Sequence, residues 1–329
     1  MERRALVRNV FLAGIAASLP LKTLWAKGNK TNTPSGRPFH RFRLGALELT
    51  VVTDGYLAMS PVQPNFAPDV PADQVAGLLQ HSFRSTKEID LAMNVLIIKK
   101  DKQLILVDTG AGKGFGANAG WLVNSLTDAG IQAGDITDIV ITHAHPDHIG
   151  GLLNAQGKRT FPNAEIHLSA IEHQFWMNAA SQDFSKSKFT DKAFLQQIIQ
   201  GTKQTLTTLH DSLHLFNHPS ALFGCIRLEL AAGHTPGHTL VHVYSGDEEL
   251  VHIADLMHSD VLLFPHPEWG FFGDTDFSQA TLTRKKVLAV LAENKKTVFG
   301  YHLPWPGIGH IRANGEAWEW VPEAYAIPG

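Results

Sequence analysis

Thr142-His143-Ala144-His145-Pro146-Asp147-His148-Ile149-Gly150-Gly151 packs four side chains able to hold a metal into six residues, His143 to His148. Three are imidazoles and one is a carboxylate, the donor set that borderline divalent cations such as zinc prefer. The stretch before it, Ile136 to Thr142, is mostly apolar and β-branched and reads as a buried strand. The donors therefore stand in a loop at a strand end, and the proline with two glycines predicts that this loop is not helical. Such a loop can aim alternate side chains at two neighbouring points. His143 and His145 would face one of them, Asp147 and His148 the other. Incidental histidines in a polar loop would not reach this density.

Four donors cannot close two sites, and three more candidates occur at predicted strand ends. His234 lies in Gly233-His234-Thr235-Pro236-Gly237-His238, a second glycine/proline loop. Asp255 follows the apolar stretch Val251 to Ala254, and His302 follows Val298-Phe299-Gly300-Tyr301. Each alone reads more readily as a cap, a turn or a core histidine. Together with the first loop they make a seven-donor set.

Working outward, the first half of the chain offers strands over Leu47 to Thr53, with Asp54-Gly55 as a turn, and over Asn94 to Ile98, Gln103 to Val107 and residues 165–169. Helices are expected over Asp73 to Gln80, Trp121 to Ala129, 170–179 and 191–209. Pro61 to Pro71, with four prolines, reads as a loop. The second half offers strands Ile226 to Leu230, Thr239 to Tyr244 and Glu249 to Ile253, a long helix Ser278 to Asn294, and a last strand Thr297 to Gly300. Two strand-rich halves carrying helices suit an α/β architecture: two mixed β-sheets packed face to face with helices outside, a four-layer αββα sandwich.

The pattern His-x-His-x-Asp-His followed by a distant His, Asp and His resembles the ligand pattern of the metallo-β-lactamase superfamily. The likeness covers roughly residues 40–329. It implies that His143, His145 and His234 hold one divalent ion, that Asp147, His148 and His302 hold another, and that Asp255 bridges the two. Zinc is the default identity. The superfamily's early Asp-Thr-Gly motif is matched by Asp108-Thr109-Gly110, where the likeness makes Asp108 a supporting residue rather than a ligand. Three stretches, Ile105-Leu106-Val107-Asp108-Thr109-Gly110-Ala111-Gly112, Phe264-Pro265-His266-Pro267-Glu268-Trp269 and Gly300-Tyr301-His302-Leu303-Pro304-Trp305-Pro306-Gly307-Ile308-Gly309-His310, are more specifically similar to methyl parathion hydrolase and its lactonase-like relatives.

The chemistry this implies is hydrolysis of an ester-type bond: a lactone, an aryl ester, or a phosphotriester such as methyl parathion. Two divalent ions about 3.5–4 Å apart can share a water, and lower its pKa to about 7, so that a hydroxide nucleophile exists near neutrality. Asp255 and Asp147 are the carboxylates expected to take part. No serine nucleophile motif is present. Phe115, Trp121, Trp176, Phe271 and Phe272 are candidate walls of a pocket for a small neutral substrate. A β-lactamase, whose superfamily members usually lack the bridging carboxylate, and a non-catalytic metal-binding member of the fold are the alternatives.

Composition agrees. The chain is weakly acidic, with a net charge of -3. It has no basic run, which argues against nucleic acid as partner. No arginine/lysine cluster marks a strongly anionic ligand. Its 18 histidines stand out, while Cys225 is the sole cysteine and excludes an internal disulfide. Residues 1–26 read as a twin-arginine-like signal peptide: Arg3-Arg4 precedes Val10 to Leu21, an apolar run too short to span a bilayer comfortably. Residues 27–39 read as a linker, and 40–329 as the catalytic domain. Export to the periplasm or beyond is expected, with no stable membrane anchor, and a homodimer stays open.

Overall fold

Side chains alternate along the long N-terminal strands, and that alternation decides which surfaces are joined. A computed structural model describes residues 38–324 of the chain; the expected signal peptide lies outside the described residues. The first sheet runs in the order β1 (Phe39–Leu44), β2 (Leu47–Met59), β3 (Ile89–Lys100), β4 (Gln103–Val107), β5 (Asp138–Ile141), β6 (Glu165–Ser169) and β7 (Leu213–Phe216). The second is built from β8 (Ser220–Leu222), β9 (Ile226–Leu230), β10 (Thr239–Ser245), β11 (Glu248–His252), β12 (Thr297–Phe299), β13 (Ile308–Asn314) and β14 (Ala317–Pro322), also adjacent in chain order. Both are mixed: β4 to β7 run parallel, as do β11 and β12, and the other pairings are antiparallel.

Leu49, Val51, Leu96, Ile98, Ile105 and Val107 point inward and meet Ile226, Leu228, Val241, Val243 and Phe299 of the second sheet. Their chain neighbours Val52, Val95, Ile97 and Leu106 point outward into a second apolar layer. Helices cover both outer faces. They are α1 (Val62–Asn65, a single turn), α2 (Ala72–His81), α3 (Leu122–Asp128), α4 (Pro146–Ile149), α5 (Ala170–Met177), α6 (Lys192–Thr208) and α7 (Phe277–Glu293). The expected four-layer αββα sandwich is thus the observed fold. Among the described residues no helix is long and apolar enough to cross a membrane.

Three local expectations change. Asp54-Gly55 does not reverse the chain; β2 passes through it with a register shift between Thr53 and Tyr56. The Asp54 carboxylate accepts from the backbone N–H groups of Ala111, Gly120 and Leu122, so the dipeptide makes a bulge that ties down two loops. Second, β12 is not the last strand, because β13 and β14 follow as a hairpin in which Arg312 pairs with Glu319. Third, Pro146 starts one turn of helix rather than preventing one, since the first helical position needs no N–H.

Leu96 is fully buried between the sheets. Leu96→Ala should cost about 2–5 kcal/mol in denaturant unfolding, whereas Leu282→Ala, at a position 65% exposed, should stay within about 0.5 kcal/mol. Equal effects at the two sites would contradict this assignment of the core.

Candidate metal centre

The motif loop leaves the end of β5. His145 is extended (φ -68°, ψ 152°), as a residue before proline must be, and Pro146 then opens α4. The turn carries Asp147 and His148 onto the side already faced by His143. The loop is fastened from three directions. Thr109 donates to the His148 carbonyl through its backbone N–H and its hydroxyl, both at 2.8 Å, and the buried Tyr301 hydroxyl donates to the Asp147 carbonyl at 2.7 Å. Gly151 is required here: a Cβ would stand 1.9 Å from the Thr109 carbonyl oxygen.

The structure brings all seven predicted donors together. His143, His145, His234 and Asp255 form one group and Asp147, His148, His302 and Asp255 the other, with donor atoms in each within 4.8 Å of one another. His145 Nδ1 stands 3.1 Å from His143 Nε2 and 2.9 Å from His234 Nε2. Asp255 belongs to both groups. Its Oδ2 lies 3.3 Å from His234 Nε2 and 3.2 Å from His302 Nε2, and its Oδ1 lies 3.0 Å from His148 Nε2. Asp147 Oδ2 is 3.3 Å from His302 Nε2.

Outer partners decide which nitrogen faces inward on four of the five imidazoles. His148 Nδ1 donates to Asp108 Oδ2 at 2.8 Å, leaving Nε2 for the centre. His234 Nδ1 donates to Asp274 at 2.9 Å, and His302 Nδ1 to the Ala92 carbonyl at 2.7 Å. The Thr142 hydroxyl donates to Asp108 and so can accept only from His143 Nδ1, 3.1 Å away. This is the arrangement by which metal-binding histidines are oriented. Asp108 does this from a left-handed backbone (φ 63°), a strained position for a residue with a side chain.

Sequence reasoning missed four supports. Glu172 on α5 is fully buried. It accepts from Ala144 N–H and Trp176 Nε1 on one oxygen and from Thr235 Oγ1 and Gly237 N–H on the other, at 2.7–2.9 Å, so it joins the motif loop to the His234 loop. Asp274, behind His234, is paired with the buried Arg284 of α7 at 3.1 Å. Tyr301 is the third. The fourth, His258, is buried with Nε2 3.1 Å from Asp255 Oδ2 and stacks on Phe271. A lone carboxylate in the expected helix 170–179 was the one available signal for Glu172. The others become visible only once the chain is folded.

The cluster is a dense set of charges in a dry place. Burial pushes His143 and His145 well below the ordinary imidazole value. Burial also lowers His234 and His302, but nearby carboxylates outweigh it: Asp255 and Asp274 raise His234 to about 9, and Asp255 and Asp147 raise His302 to about 9. His148 is likewise raised by Asp255, Asp108 and Asp147 against the cost of burial.

A cavity of about 120 Å³ opens onto the donors. Of the predicted wall residues it is lined by Phe115, Trp176, Phe271 and Phe272. Trp121 is a correction: it does not line this cavity. Its indole N–H donates to the Ala117 carbonyl, and its ring packs edge-on against Tyr56. Phe184, Phe189 and Phe194, from the segment before and at the start of α6, line it as well.

The model of the metallo-beta-lactamase superfamily matches residues 90–302. AidC, described as a dizinc quorum-quenching lactonase in complex with a product, N-hexanoyl-L-homoserine, is 44% identical; the match covers 88% of this chain and 98% of that one, with a TM-score of 0.85. AbOPH, a hydrolase in the beta lactamase superfamily, is 29% identical over 89% of this chain and 99% of that one, with a TM-score of 0.81. The probable metallo-hydrolase Rv2300c of Mycobacterium tuberculosis is 29% identical over 110 residues, and the match spans only 34% of its length.

Two predictions follow from the geometry. Glu172→Gln turns an amide N–H₂ toward donors whichever way the amide lies, and should cost roughly 1–3 kcal/mol of stability together with metal retention; unchanged unfolding and metal content would contradict the bridging role. Second, because His234 and His302 sit near 9 in the metal-free chain, they hold protons at neutral pH, and a cation must displace those protons to bind. Metal affinity should therefore fall as pH falls through the range below about 9, with protons released on loading. Calorimetry in buffers of different protonation enthalpy checks this, and a heat independent of buffer would contradict it.

Proposed function

The chain belongs to the metallo-beta-lactamase superfamily and is a metallo-hydrolase of that fold, and from this premise we propose that it opens lactone rings, N-acyl homoserine lactones first among them, at a pair of zinc ions. One observation carries the reading: seven metal-type donors converge at the end of a cavity whose other walls are apolar and aromatic. The 44% identity to a dizinc lactonase supports it.

The residues fit such ions. The close donor pairs, 2.9–3.8 Å apart, bracket the edge of about 3.3 Å that bonds of about 2.0–2.1 Å give a tetrahedral zinc. His148 Nε2 and Asp255 Oδ1 are buried and have no hydrogen-bond partner, although they face each other at 3.0 Å, as befits atoms reserved for a cation. Asp255 is the bridging carboxylate in this reading, with His143, His145 and His234 on one side and Asp147, His148 and His302 on the other. Bound divalent cations would supply Lewis acidity, lowering the pKa of water to about 7 and polarising a carbonyl.

The remaining chemistry falls to the chain. Water adds to the lactone carbonyl, the ring C–O bond breaks, and the departing alkoxide takes a proton, giving a hydroxy acid. Asp147 lines the cavity, and its side chain, 15% exposed, is the most open of the cluster's two carboxylates. It is placed to accept the proton of the attacking water and return it to the leaving oxygen. Leu57, Phe184, Phe189 and Phe194 would hold an acyl chain and keep bulk water from the reacting end. The same aromatic walls favour aryl leaving groups, so an aryl ester or a phosphotriester such as methyl parathion is the second reading.

We expect two zinc ions per chain. His148→Ala should lose one of them, and more activity than the roughly 10–100-fold that removal of an outer partner costs. His266→Ala and His310→Ala should retain both ions and activity. Across an acyl homoserine lactone, an aryl ester, methyl parathion and a chromogenic cephalosporin, kcat/KM should be highest for the lactone. A best rate on the cephalosporin, or hydrolysis that survives chelator, would overturn the proposal.

A further inference from the structure

Four ligand-type side chains meet at the other end of the first sheet, where the parallel strands begin. Asp138 opens β5 and Glu165 opens β6, directly opposite each other in register. Two residues on, His167 lies opposite His214 of β7. Their face is the inner one, since Val140 and Phe216, next along it, belong to the core between the sheets. The catalytic loop leaves the far end of β5, so this group is separate from the donor cluster described above.

We propose that Asp138, Glu165, His167 and His214 form a second, non-catalytic site for a borderline divalent cation such as zinc. His167 Nε2 is 3.2 Å from Asp138 Oδ1, and His214 Nε2 is 3.7 Å from Glu165 Oε2. Donor atoms of Asp138, Glu165 and His167 all lie within 4.8 Å of one another. The two ion-pair spacings, 3.2 and 3.7 Å, are near the edge of about 3.3 Å of a tetrahedral zinc site, and two imidazoles with two carboxylates suit that class of ion. Asp138 and His167 are 7% and 9% exposed, so the inner half is built into the fold, while Glu165 and His214 can swing to close it.

The inner half is also oriented. Thr137 Oγ1 donates to Asp138 Oδ2 at 2.8 Å, which turns Oδ1 toward His167. The Phe223 ring meets His167 edge-on at 5.2 Å. Among the described residues neither carboxylate is paired with a lysine or arginine; their ion-pair partners are the two histidines. The two carboxylates stand opposite each other in register with no lysine or arginine of the described residues paired to them. A divalent cation would supply that missing positive charge. It would also pin β7, an edge strand paired only with β6, to the strands beside it.

The test counts zinc on the fully loaded protein after equilibration in micromolar zinc. Wild type should hold one more zinc than Glu165→Gln or His214→Ala, both changed at exposed side chains that leave the fold intact. Zinc should raise the unfolding temperature of loaded wild type and not that of the variants, while hydrolysis is the same in all three. Equal zinc counts would overturn the proposal, and so would loss of activity in the variants, which would make the site part of the catalytic centre. Because the count is a difference between wild type and variant, it stands apart from how many ions the catalytic centre takes.

Discussion

Asp255 is a single carboxylate, almost wholly buried, with four imidazoles within 3.3 Å of its two oxygens. His148 comes from the loop after β5 in the first sheet; His234, His258 and His302 come from loops of the second. The charge therefore sits at the seam between two half-structures that are joined by apolar packing between the sheets and by hydrogen bonds such as those of Glu172 and Tyr301 around the centre. A buried carboxylate without balancing charge costs several kcal/mol, and here the balance comes from both sides at once. In the metal-free chain raised histidines do it, through protons that a cation must replace. Loading the centre and clamping the sandwich are on this account the same event.

Around that seam the fold uses buried carboxylates again, each with a separate purpose. Asp54 collects backbone N–H groups of two loops, Asp108 orients His148 and, through Thr142, His143, Glu172 joins the motif loop to the His234 loop, and Asp274, held by Arg284, accepts from His234. Arg284 lies on α7, an outer layer of the sandwich, and also donates to the carbonyls of Leu256 and Pro267. The helices thus do more than cover the sheets. They reach through to the imidazoles whose aim decides what the centre can hold, which is how a precise site can be built on loops.

Where the sequence was readable, its signal was local. Four donors within six residues need no tertiary knowledge, and strands declare themselves by apolar composition, as Ile105–Val107 does, or by alternation of apolar and charged residues, as Ile226–Leu230 does. Asp54-Gly55 misleads because the same dipeptide serves turns and bulges, and only the distant N–H groups of Ala111 and Leu122 decide between them. The strands β7, β8, β13 and β14 are short or carry polar residues that face solvent, so their periodicity is weak. Composition alone groups Trp121 with the pocket, but its partner Tyr56 lies 65 residues away. Glu172 and Asp274 act through contacts made by folding, which no spacing records.

The donors and the walls of the cavity come from different stretches of chain, and this has a physical consequence. The ligands sit at strand ends and are held by buried hydrogen bonds, where a change is felt throughout the cluster. The walls come mainly from the segment between α5 and α6, from the end of β2 and from Phe271 and Phe272. These side chains contribute shape and dryness rather than aim. A dry wall lowers the local dielectric and strengthens every charge interaction at the donor end, so it aids the reaction whatever the substrate's apolar part is. On the proposed lactone or ester chemistry, its shape would then select among acyl chains and aromatic rings. Substitution at Phe184 or Phe194 would on that reading redirect the choice of substrate while the imidazoles and their outer partners stay in place.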